Sequence, residues 1–161
     1  MRPWMTATLL PPAVVPPAPV GLRALSPADT EGLARLMLDA YAGTIDDAGN
    51  ETIGSARAEV VKLQRGDFGA IDAVSVVVER EGALASATIV TRERGEPLLA
   101  FSMTAPRWKR CGLARAGLLH VMHALHQRGE PRLHLVVTEG NTPAENLYRS
   151  LGFVVGVPPA R

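Results

Sequence analysis

Leu98-Leu99-Ala100-Phe101-Ser102-Met103-Thr104, then Arg107-Trp108-Lys109-Arg110-Cys111-Gly112, then Leu133-His134-Leu135-Val136-Val137-Thr138 stand in that order, and the residues between the last two blocks decide how they connect. Ala114, Gly117, Leu118, Val121 and Leu125 recur at helical spacing from the basic turn onward, and Gly129 ends the pattern. Each flanking run is short, apolar and rich in residues that favour strands. A strand, a long helix and a second strand make one β–α–β crossover, which requires the two strands to be parallel.

Upstream, the period changes. Val74–Val78, Ala83–Thr91 and Leu98–Thr104 are short runs joined by Arg80-Glu81-Gly82 and Arg94-Gly95-Glu96, the pattern of an antiparallel meander. Before it, Ser26-Pro27-Ala28-Asp29 opens a helix with a serine cap and a proline in the first turn. Leu33, Leu36, Met37, Ala40 and Tyr41 are its apolar stripe. The polar loop Thr44–Asn50 leads to a second helix, Thr52–Arg65, with Ile53, Ala56, Val60 and Leu63 inward. Val20–Leu25 reads as a short first strand. Downstream, Thr142-Pro143-Ala144-Glu145 has the form of a capping box. Ala144, Leu147, Tyr148 and Leu151 follow, Gly152 stops the helix, and Phe153–Val157 closes as a strand. The expected class is α+β: a mixed sheet of antiparallel meander plus crossover, flanked by about four helices.

The chain has 161 residues, which suits one domain. We expect residues 20–161 to form it and residues 1–19 to be a proline-rich extension, extended or at most an edge strand. From Pro3 to Leu22 there is no charge, but Pro3, Pro11, Pro12, Pro16, Pro17 and Pro19 interrupt the stretch and spoil a spanning helix or a signal peptide. A cytoplasmic protein with no membrane partner is expected. Seventeen Lys and Arg against sixteen Asp and Glu give a net charge of +1, which argues against a nucleic-acid partner bound by bulk charge. A lone cysteine, Cys111, excludes a disulfide framework and a multi-cysteine zinc site. His120, His123 and His126 spiral around their helix instead of converging, and His134 stands alone, so no metal is expected.

Basic charge is nevertheless concentrated: Arg107, Lys109, Arg110 and Arg115 surround Gly112 and Ala114 at the start of the long helix. Small residues there let backbone N–H groups approach a ligand, and a helix N-terminus favours an anion, so a pyrophosphate suits the loop. Gly112, Ala114 and Gly117 also fit the G-x-G/A-x-x-G fingerprint of dinucleotide folds, with Glu139 as the ribose acid. Two features oppose that reading. Pro106–Cys111 separates strand from glycine, and too little chain follows Gly117 to complete such a domain.

Lys109-Arg110-Cys111-Gly112-Leu113-Ala114 resembles the R/Q-x-x-G-x-G/A loop of the GNAT superfamily of acyl-CoA-dependent N-acyltransferases. Asn141, Ala144, Leu147, Tyr148, Gly152 and Phe153 resemble that superfamily's second signature at its usual distance downstream. Lysine stands at 109 in place of arginine or glutamine, and alanine at 114 in place of glycine. The resemblance implies acetyl-CoA as donor, its pyrophosphate on the amides of Arg110 to Ala114 and its pantetheine arm along Met103-Thr104. It gives Asn141 a contact to the cofactor arm and makes Tyr148 the acid that protonates the leaving sulfur. Tyr41, Asp46 and Asp47 fall where the family walls its acceptor pocket, and acids there suit a cationic amine on a small molecule or a protein. A homodimer is common among relatives. The glutamate that some relatives carry five positions before the asparagine is Val136 here. That leaves the base open among Asp46, Asp47, Glu139 and water. It also leaves room for a non-catalytic acyl-CoA-binding module, with a dinucleotide module more remote.

Overall fold

A computed structural model describes residues 2–12, 15 and 17–160. The meander forms as its alternation dictates. β2 (Leu22–Ala24), β3 (Val76–Arg80), β4 (Ala83–Glu93) and β5 (Glu96–Thr104) pair antiparallel in sequence order. Successive side chains of a strand point to opposite faces, so Val77 joins one core cluster while Val76 joins another. On the first face, α1 (Thr30–Tyr41) and α2 (Ile53–Gln64) set Leu33, Leu36, Val60 and Leu63 against Val77, Ile89 and Met103. On the second, α3 (Leu113–Gln127) sets Leu118, Val121 and Leu125 against Val90 and Leu99. α4 (Thr142–Ser150) packs at the edge of this second cluster through Ala144 and Tyr148.

The crossover is as the sequence predicts. β6 (Arg132–Val136) lies parallel to β5. α3 comes so close to β4 that a Cβ on Gly117 would sit 2.3 Å from Thr88 Oγ1. The third glycine of the apparent dinucleotide fingerprint therefore serves helix-on-sheet packing. A 3-10 turn, Pro106–Trp108, fills the interval between strand and loop that a dinucleotide fold lacks.

The N-terminus departs from expectation. Trp4–Thr8 is a full strand, β1, lying antiparallel between β6 and β7 (Val154–Val155) in the order β2-β3-β4-β5-β6-β1-β7. It is neither outside the domain nor at an edge. Met5, Ala7 and Leu9 are almost fully buried against Leu133, Leu135 and Phe153. The prolines that suggested an extension flank the ladder. Pro3 takes part through its carbonyl, which accepts from Val137 N–H at 3.1 Å.

Two smaller corrections concern α4 and the last strand. Asn141, not Thr142, is the N-cap, its side chain accepting from Ala144 N–H. The closing strand is only Val154–Val155, and Pro158 and Pro159 follow it. At the first helix the expected device is present: Ser26 and Asp29 cap each other reciprocally in a 3-10 turn leading into α1.

Candidate active site

Pairing between β5 and β6 covers only Leu98 with His134 and Leu99 with Leu135, although β5 runs on to Thr104. The cause lies in β5 itself. Its register against β4 shifts between Ile89–Phe101 and Val90–Leu99, so Ala100 is an extra residue, and such a bulge bends a strand and raises its twist. Beyond the bulge, Ala105 N–H donates to Ala85 O at 2.8 Å. Antiparallel alternation then assigns Met103 and Phe101 to hydrogen-bonded pairs with β4 and turns the backbone polar groups of Ser102 and Thr104 toward the β6 side. The two parallel strands thus part where β5 has backbone groups to offer.

The strands open into a cleft of about 730 Å³. At one end lies the loop before α3. Gly112 has φ +77° and Arg110, a residue with a Cβ, has φ +64°. Left-handed residues so close together form the kind of backbone concavity that binds anions, and a non-glycine in this region marks a local constraint. Among the described residues no protein acceptor takes the backbone N–H of Arg110, Cys111, Gly112, Leu113 or Ala114. Arg110 and Arg115 line the same space; Arg115 also donates to Ser150 Oγ at 2.9 Å. Lys109 lines it too, with Nζ near Ala40 O. Arg107 is drawn away. It pairs with Glu81 and lies over one face of Trp108, whose ring also meets Arg80.

The other end holds the titratable side chains. α4 presents Tyr148, packed edge-on to Phe153 with ring centroids 5.8 Å apart. Burial pushes the Tyr148 phenol above its usual value near 10; a hydrogen bond from Ser102 opposes this and the charge of Asp46 adds to it. Tyr148 therefore keeps its proton at neutral pH. Tyr41, at the end of α1, is raised further, by burial first and then by Asp46 and Tyr148, with Arg2 opposing. Asp46 Oδ1 accepts from Thr138 Oγ1 at 2.7 Å, and Ile45 meets Gly140, where a Cβ would lie 3.4 Å from Ile45 Cδ1. These contacts join the α1–α2 loop to the β6–α4 loop across the cleft.

Of the residues named from sequence, Met103, Thr104, Lys109, Arg110, Gly112, Leu113, Ala114, Asn141, Tyr148, Tyr41 and Asp46 line this one cleft. Cys111 does not; its thiol is exposed beside Lys109 O. Asp47 does not either. Its carboxylate accepts from Gly43 N–H at 2.7 Å and Gly49 N–H at 2.8 Å, which hold its pKa down and shape the loop. Asn141 Oδ1 is engaged at the helix cap. Ser102 was missed: with Thr104 it is one of two polar side chains in the run Leu98–Thr104, the sequence sign that it faces something other than core. No group of three potential metal ligands occurs among the described residues. No described helix is long and apolar enough to cross a membrane.

Residues 34–153, about three-quarters of the chain, match the family model described as "Acetyltransferase (GNAT) family". The chain belongs to the GNAT acetyltransferase family. A stretch of 48 residues is 50% identical to mycothiol acetyltransferase of Thermobifida fusca, covering 30% of this GNAT chain and 15% of that protein. The fold is similar to a GCN5-related N-acetyltransferase from Sphaerobacter thermophilus, with TM-score 0.70 and 20% identity over 96% of this chain and 48% of the other. It is also similar to a PaiA N-acetyltransferase from Thermoplasma acidophilum, solved in complex with coenzyme A, with TM-score 0.64 and 18% identity over 86% and 92% of the two chains. At those identities the structures establish the GNAT fold. The chain spans about half of the Sphaerobacter protein and a smaller part of the mycothiol enzyme.

Proposed function

We propose that this GNAT chain transfers an acetyl group from acetyl-CoA directly to an amine in a ternary complex. The observation that carries the reading is that three things share one cleft: the parting of β5 from β6, the unengaged N–H groups of Arg110–Ala114, and the protonated phenol of Tyr148. The residues suit the donor. The loop amides and the cations of Arg110, Lys109 and Arg115 would hold its pyrophosphate. The backbone groups of Ser102 and Thr104 would pair with its amide-bearing arm as a strand would, and an N–H there would stabilise an oxyanion. Bound there, the donor supplies an activated acyl thioester.

Tyr148 gives its proton to the departing sulfur. Ser102 orients that phenol. Tyr41 and Asp46 wall the acceptor end, and Asp47 serves it by holding the loop. The wall's negative charge supports a cationic amine, on a small molecule or a protein. A second reading, a binder that has lost transfer, draws on Val136 standing where some relatives carry glutamate.

Thiol release with acetyl-CoA and an amine panel separates the two. Transfer gives amine-dependent release, and Tyr148→Phe lowers kcat by about 100-fold or more with the acetyl-CoA KM nearly unchanged. Saturable coenzyme A binding without amine-dependent release from the unmodified protein would instead establish the binder.

A further inference from the structure

Before an alkyl ammonium can attack, some group must take its proton, and the fold narrows the choice. Val136, at the position of the relatives' glutamate, carries no titratable group and is partly exposed. Asp47 has both carboxylate oxygens committed to Gly43 and Gly49 and lies outside the cleft. Glu139 is not among the residues lining the cleft. Asp46 is, and it also lines the smaller depression beside Tyr41, so it stands at the junction of the two spaces. Thr138 fixes Oδ1 by the 2.7 Å hydrogen bond, and among the described residues no hydrogen-bond partner takes Oδ2, which is left for a ligand.

We propose that Asp46 receives the acceptor's ammonium in the cleft and takes its first proton. This rests on the acetyl-transfer reading and adds the residue that reading lacks. The proton leaves nitrogen for Asp46 Oδ2 and passes to solvent. The freed lone pair forms the N–C bond to the thioester carbon. As the C–S bond breaks, sulfur takes the Tyr148 proton, and the tyrosine oxygen takes the second proton from nitrogen. Amide, thiol and one solvent proton result. Around Asp46 stand Tyr41 from α1, Tyr148 from α4, its neighbour Asp47, and Arg2, whose charge reaches Tyr41; Glu51 shares the smaller depression with it, and Lys109, Arg110 and Arg115 line the cleft from the loop before α3. Both phenols are held neutral, so Asp46 is the anion available to an ammonium entering between them.

The test compares Asp46→Asn with the unmodified protein, using benzylamine, a cation at pH 7, and aniline, which is neutral there. The expected result is a loss of about 100-fold in kcat/KM for benzylamine and little loss for aniline, with coenzyme A binding unchanged. The benzylamine rate of Asp46→Asn should also rise with pH toward the amine's own pKa, about one unit below that of a lysine-type amine, as neutral amine accumulates. A merely structural aspartate would lower both substrates alike. Equal loss for the two amines, or no loss, overturns the assignment while leaving acetyl transfer intact. Failure of the unmodified protein to release thiol with either amine overturns the transfer reading and the assignment with it.

Discussion

Gly117 has one packing role in both of the patterns that Gly112-Leu113-Ala114-Arg115-Ala116-Gly117 fits. As a dinucleotide fingerprint, Gly117 would serve helix–strand packing within a nucleotide fold; here it serves helix–strand packing in a GNAT sheet, against Thr88 Oγ1. Alanine is a better helix former than glycine by about 1 kcal/mol. Gly117→Ala should nevertheless lower stability by about 1–2 kcal/mol, because a side chain forced into a filled contact outweighs that gain. Adding Thr88→Ala removes the hydroxyl in the way and should recover most of the loss. A double-mutant cycle from urea unfolding checks this, with a coupling above about 0.5 kcal/mol expected; additive losses would refute the contact. The same scale shows what sequence can hold. The loop before α3 was legible in its small residues and clustered cations, whereas Tyr148 was singled out only through the resemblance to the second GNAT signature. Asp47 and Asp46 are adjacent and chemically identical in the string, and only the folded loop shows that one ties down Gly43 and Gly49 while the other faces the cleft.

Elements whose partners lie nearby in sequence were readable: the meander, the crossover and all four helices follow from period and capping residues. β1 was not, because its partner Arg132–Val136 lies more than a hundred residues away and nothing local announces that pairing. Met5, Ala7 and Leu9 do alternate with Thr6 and Thr8, but the pattern is short and lies among prolines. The structure makes β1 the strand that lets β7 join the sheet. Met5 is 1% exposed and Leu10, just past the strand, is 70% exposed. Met5→Ala should therefore cost about 2–4 kcal/mol and Leu10→Ala no more than about 0.5 kcal/mol, measured as shifts in the urea midpoint at constant slope. Equal small effects would mean that the N-terminal strand does not belong to the cooperative unit.

Across the whole molecule, the end of α3 away from the cleft is secured by charge. Asp72, nearly buried, accepts from Arg128 at 2.7 and 3.0 Å, from Arg92 at 2.9 Å and from Val74 N–H at 2.9 Å, and Glu130 completes the group through Arg92. Burial alone would raise the Asp72 pKa; Arg128, the Val74 amide and Arg92 together outweigh it and bring the carboxyl from 3.8 to about 2. A depressed folded pKa means that the unfolded chain binds the proton first as pH falls. The stabilisation is therefore fully present above about pH 4 and disappears as pH drops through about 2. Its size is on the order of 1–2 kcal/mol, since both arginines keep contact with solvent. Asp72→Asn removes this dependence, and the other acids titrate alike in both proteins. The stability gap between the two should be widest from pH 4 to 7 and shrink by that amount towards pH 2, read from urea midpoints at each pH. α3 has 15 residues, so its length of about 22 Å separates this group from the loop at Gly112. Coenzyme A affinity at pH 7 should therefore survive Asp72→Asn; a large loss of affinity would show that the two ends of α3 are coupled and that the cleft depends on charge fixed at the far end of that helix.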